Sequence, residues 1–78
     1  MSKVEKTKKT VQKVEKALRA ESIKHEPIEY TVFLFNASAY DVQTEHCTID
    51  IEGDRIRVNE KDVDSIEDMI HAIRTVEG

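Results

Sequence analysis

The stretch HCTIDIEGDRIRVN, residues 46–59, decides the fold. Gly53-Asp54 lies between two runs in which apolar and polar residues alternate, the pattern of two half-buried strands joined by a two-residue turn. Pairing across that turn sets Ile51 opposite Ile56 and Ile49 opposite Val58, with Glu52 opposite Arg55 and Asp50 opposite Arg57. Apolar pairs then share one face and opposite charges the other. A slip of one residue would carry the whole apolar set to the polar face, so the pattern fixes the register. Cys47 continues the apolar side.

Downstream, Val63, Ile66, Ile70 and Ile73, widened by Met69 and Val76, recur at helical spacing and predict a helix over 63–76. Asp62 or Asp64 is placed to cap its start, with Ser65 and Asp68 as an alternative capping box, and Gly78 follows its end. Upstream, Val4, Thr7, Val11, Val14 and Leu18 form one narrow stripe and predict an N-terminal helix, supported by Glu5 four residues before Lys9 and Glu15 four before Arg19. Residues 1–8 are expected to fray, because lysines crowd the positive end of the helix dipole. Pro27 ends any helical continuation.

Between these elements, IEYTVFLF at 28–35 is rich in β-branched and aromatic side chains and reads as a strand. Ile28, Tyr30, Val32 and Leu34 would share one face, Phe33 and Phe35 the other. NASAYDVQT at 36–44 reads as a connection. The expected fold is α+β in the order α-β-β-β-α, a three-stranded antiparallel meander packed with two helices, in a single domain over residues 1–78. Phe33 and Phe35 would then lie away from the helices, either partly covered by the 36–44 connection or exposed as an apolar patch for self-association as a homodimer. The exposed patch would also fit a small regulator that binds a partner through this face.

A chain of 78 residues with formal net charge −4 hides two opposite halves. Residues 1–24 hold eight lysines and arginines against three acids; residues 25–78 hold four against thirteen acids. No stretch is apolar enough to span a membrane, and MSKVEKTKK lacks the apolar core of a signal peptide. The single cysteine, Cys47, forms no internal disulfide and suits a reducing cytoplasm.

Chemistry-bearing patterns are absent. His25, His46 and His71 stand at no metal-ligand spacing with one another or with Cys47, so neither metal nor cofactor is expected. Cys47 points into the apolar side of the hairpin, where nothing supports a thiolate, and the two glycines make no phosphate loop. The carboxylates fall on solvent-facing positions without an apolar pocket to raise their pKa. No catalytic residue is expected, and the chain reads as a binding protein rather than an enzyme.

The order α-β-β-β-α resembles the double-stranded-RNA-binding domain over nearly the whole chain, in topology alone. That family grips the RNA backbone with lysines at the start of its second helix. The matching stretch here, residues 60–68, carries Glu60, Asp62, Asp64, Glu67 and Asp68 against Lys61, which would repel phosphates. The same stretch suggests the reverse activity. In extended chain, alternate acids such as Glu60, Asp62 and Asp64 stand roughly 6.6 Å apart, close to the spacing of phosphates along one nucleic-acid strand. With Asp50, Glu52 and Asp54 flanking them, they could fill the basic cleft of a DNA-binding protein and exclude DNA.

In its small size, its acidic stretch 50–68 and its lack of catalytic signatures, the chain is similar to the phage inhibitors that mimic DNA and block the bacterial histone-like protein HU. That resemblance implies a dimeric inhibitor acting in the host cytoplasm, bound to HU and not itself to nucleic acid. The basic first helix supports an alternative, a nucleic-acid-binding module that contacts phosphates through Lys3, Lys6, Lys8, Lys9, Lys13 and Lys16.

Overall fold

A computed structural model describes residues 2–77. Helix α1 (Lys3–Ala20) is followed by a short 3₁₀ helix (Tyr30–Phe35), then strands β1 (Ala39–Gln43), β2 (Thr48–Glu52), β3 (Arg55–Val58) and β4 (Lys61–Val63), and helix α2 (Ile66–Glu77). The strands form one antiparallel sheet in the order β1-β2-β3-β4. The α+β class and the meander between two helices are as expected, with four strands in place of three.

The β2–β3 hairpin has the register read from the sequence: Ile49↔Val58, Asp50↔Arg57, Ile51↔Ile56 and Glu52↔Arg55. Gly53, at φ +64°, opens its turn, a conformation that glycine adopts without steric cost. Ile49, Ile51, Ile56 and Val58 are buried with Val42 of β1 against Val11, Val14 and Leu18 of α1 and Met69 and Ile73 of α2. Both helices therefore cover the same face of the sheet, and Cys47 lies buried at the margin of that core.

The stretch 28–35 is not a strand. From Val32 to Phe35 its apolar residues run together without alternating, and the sheet position beside β2 is taken by Ala39–Gln43, with Tyr40↔Ile51 and Val42↔Ile49. In a 3₁₀ helix, residues three apart eclipse. Tyr30 and Phe33 accordingly fall together, their ring centroids 6.2 Å apart, and Phe33 packs at 5.8 Å from Tyr40. Phe33 is thus a core residue and not part of an outer face. Leu34 and Phe35 are turned outward, 77% and 83% exposed, and Asn36 closes the turn in the left-handed region at φ +65°. The Tyr30 hydroxyl donates to Glu15 Oε1 at 2.8 Å. Burial, together with that carboxylate, pushes the phenol up to about 12.

The connection expected at 36–44 is instead β1, an edge strand whose Tyr40 and Val42 face the helices while Asp41 and Gln43 face away. At the other end of the sheet, residues expected to open the last helix form β4. Asn59 and Glu60, at φ +50° and +71°, make a mirror-image two-residue turn of the kind hairpins favour, and Val58↔Lys61 closes it. Helix α2 consequently starts at Ile66, and neither Asp62 nor Asp64 caps it. Ser65 does, its Oγ accepting from the Asp68 backbone N–H at 3.1 Å.

Helix α1 reaches back to Lys3, through residues expected to fray. Ser2 caps it by accepting from the Glu5 N–H, and two buried threonines anchor the first turns to the tip of the hairpin. Thr7 Oγ1 accepts from the Gly53 N–H at 2.8 Å, and Thr10 Oγ1 donates to the Gly53 carbonyl at 2.7 Å. Both backbone groups of a buried turn residue are satisfied by one helix. At the far end, Arg74 of α2 donates to the carbonyl and carboxylate of Glu21, joining the two helix C-termini.

Candidate functional site

Among the described residues, no element covers the face of the sheet opposite the helices, and its side chains are polar or charged. Strand parity places Asp41 of β1, Asp50 and Glu52 of β2, Arg55 and Arg57 of β3, and Asp62 of β4 on this face. Glu60, one residue before β4, lies in the left-handed turn, and Asp64, one residue beyond it, borders the groove beside the helices. The charges therefore alternate from strand to strand: Asp50 and Glu52 on β2, Arg55 and Arg57 on β3, and Asp62 on β4. Asp41, Asp50, Glu52, Arg55 and Arg57 bound a shallow depression on the β1–β3 part of the face.

Three of the acids expected to contact a partner are engaged within this face. Asp62 accepts from Arg55 Nε at 3.0 Å and from Arg57 Nε at 3.1 Å, and the two arginines hold its carboxyl below the usual aspartate range. Glu52 pairs with Lys3, which lowers its pKa likewise. Asp50 lies directly opposite Asp41. Because Asp41↔Asp50 alternates with the hydrogen-bonded pairs of the β1–β2 ladder, the two side chains approach closely. A hydrogen bond shared with Asp50 raises the Asp41 pKa above the ordinary aspartate value, and burial and the Asp50 charge add to the rise.

The unfolded chain releases the Asp41 proton near pH 4 (roughly the ordinary aspartate value), while the folded protein keeps it to higher pH. Stability contributed by this pair is complete below that value and declines as pH rises through the folded pKa. Asp41→Asn is expected to abolish the decline. Denaturant midpoints of parent and variant, compared between pH 4 and 7, check this; parallel profiles would show that the two carboxylates do not share a proton.

The remaining expected contacts have no cation partner within 4 Å among the described residues: Asp54, Glu60, Asp64, Glu67 and Asp68. Asp54 occupies the β2–β3 turn and Glu60 the β3–β4 turn. Asp64 precedes α2, whose first turn carries Glu67 and Asp68. Asp54 and Asp64 also line, with Lys13, a groove where α1 meets the start of α2. The regular spacing expected along 60–64 breaks at Glu60, which the left-handed turn takes out of extended geometry. Lys6, Lys8, Lys9, Lys13 and Lys16 are exposed on α1.

Asp41 joins this face although the sequence reading places it in a connection. The signal for it was the alternation Tyr40, Asp41, Val42, Gln43, masked by the run of small residues before it. Among the described residues, no three His, Cys, Asp or Glu side chains converge as metal ligands. Nor is any helix among the described residues long and apolar enough to cross a membrane. Compared with known proteins, the chain matches no family model, no curated protein and no solved structure.

Proposed function

We propose that the chain is a non-enzymatic binding protein that occupies the basic DNA-binding site of a bacterial nucleoid-associated protein such as HU, in the cytoplasm, and so blocks DNA. The observation that carries this reading is the group of acids without a cation partner among the described residues: Asp54, Asp64, Glu67 and Asp68 about the start of α2, with Glu60 at the opposite end of β4. Their carboxylates are exposed on turns and a helix start that the core holds in place, so little ordering is needed before contact. Cationic side chains that serve phosphates would meet carboxylates instead. Asp50, Glu52 and Asp62 act in this scheme as the supporting inner columns.

The test is displacement of labelled duplex DNA from purified HU, followed by fluorescence anisotropy at low and moderate salt. Stoichiometric displacement that weakens with salt is the expected result. Unchanged DNA binding at about 50 mM salt, where such contacts are strongest, would sink the reading.

Leu34 and Phe35 favour a second role, self-association. With Phe33 in the core, the apolar contact falls to Phe35 and its neighbour. Phe35→Asp is expected to convert a dimer to a monomer in sedimentation equilibrium. A monomeric parent at about 100 μM would rule this role out.

A further inference from the structure

We propose that the free edge of β4 receives an extended basic segment of the partner as a fifth strand of the sheet. The inference rests on the proposed function, which supplies the basic character of that partner. β4 ends the sheet and pairs on one side alone. Val58 and Lys61 flank a two-residue turn and form its hydrogen-bonded pair, so the next pair, Arg57↔Asp62, is the one without mutual backbone bonds. The Asp62 N–H and C=O consequently point to the open edge, and no backbone or side-chain group among the described residues bonds to them.

The charge columns say which strand fits. From β2 to β4 the open face reads acidic, basic, acidic, and each junction is an opposite-charge pairing: Asp50 with Arg57, then Arg57 with Asp62. The next column in that series is cationic. A lysine or arginine beside Asp62 would extend the row across a new ladder, as cross-strand pairs of opposite charge do within the sheet. Short, charged edges ordinarily protect a sheet from pairing with its own copies. Here a second β4 paired antiparallel about Asp62 would set one Asp62 carboxylate against another, whereas a strand with a lysine at that position is admitted. Recognition would then combine main-chain hydrogen bonds with alternate side-chain contacts, the mode by which peptides add to sheet edges.

The probe is a synthetic peptide of about eight residues alternating lysine with valine, added to the intact protein at low salt. The Asp62 amide is expected to exchange with solvent about tenfold more slowly in the complex, by NMR. Asp62→Pro deletes the outward N–H without removing a bond to β3, and proline is tolerated on an edge at such a position. Asp62→Ala removes the carboxylate and keeps the N–H. The proline variant is expected to bind the peptide about tenfold more weakly than the alanine variant. Equal affinity of the two variants, unchanged Asp62 exchange with peptide bound, or no peptide binding would each overturn the proposal. The exchange measurement needs no variant and so holds even if Asp62→Pro fails to fold. Displacement of DNA from HU by the unmodified protein, alongside any of these failures, would leave the proposed function standing and remove only the edge.

Discussion

Replacing Thr7 and Thr10 together with valine is expected to destabilise the protein by about 2–4 kcal/mol in urea denaturation. Both threonines are buried, at 0% and 8% exposure, and valine fills nearly the same space. What the substitution removes is the oxygen that accepts the Gly53 N–H and the hydroxyl that donates to the Gly53 carbonyl. Gly53 would be left with a buried donor and a buried acceptor unsatisfied, each at a cost of about 1–3 kcal/mol, partly offset by the added apolar contact. A chain of this size has a total stability of roughly 4–12 kcal/mol, so the loss is a large fraction of it. Thr10→Ser retains the hydroxyl and should cost less than the valine change. A loss under about 0.5 kcal/mol for the double variant would mean that water reaches Gly53 and that the threonines are packing residues only.

Reversal of Asp64, Glu67 and Asp68 to lysine is expected to raise the concentration needed to displace DNA from HU at least tenfold, on the order of 1.4 kcal/mol or more. These three lack cation partners among the described residues. Asp62 is left out because Arg55 and Arg57 already hold its charge, and its reversal would disrupt the sheet face as well as any contact. Glu67 and Asp68 also favour the positive end of α2, so the variant gives up about 0.3–1 kcal/mol at each, which circular dichroism will register as a lower melting temperature. The matched control reverses Glu26, Glu29 and Glu45, exposed acids outside the expected contact set. If both variants lose activity equally, total charge and not this surface governs binding. If the first displaces DNA as well as the parent does, the acids at the start of α2 are not the contact.

The hairpin was legible because turn residue, alternation and charge pairing are all local and all agree. Both helices were legible from their stripes, although the start of α2 was misplaced by three residues' worth of ambiguous chemistry: acids beside a helix serve equally well as caps and as edge-strand residues, and Asp62 and Asp64 fit both roles. Only the tertiary pairing Ile56↔Val63 decides between them. The segment 28–35 misled for a different reason. Its β-branched and aromatic residues suit a strand, but a strand needs a neighbour, and Tyr40 and Val42 occupy that place with better alternation. A strand there places Phe33 on a surface, whereas its ring lies between Tyr30 and Tyr40. Of the candidate site, the acids could be found from composition. Which of them carry free charge could not, because Lys3 with Glu52 and Arg55 with Asp62 are partners brought together by the fold.

Charges that alternate at the separation of neighbouring strands, roughly 4.8 Å, cancel one another over distances well inside a Debye length of about 8 Å. From farther away the paired columns of β2, β3 and β4 are electrically quiet, and that side of the molecule is felt through its unpaired rim. A cationic protein diffusing past would be turned and drawn toward the turns and the start of α2 before it touched the sheet. In that scheme the rim would set how fast such partners arrive, and the quiet interior would act only once they have landed.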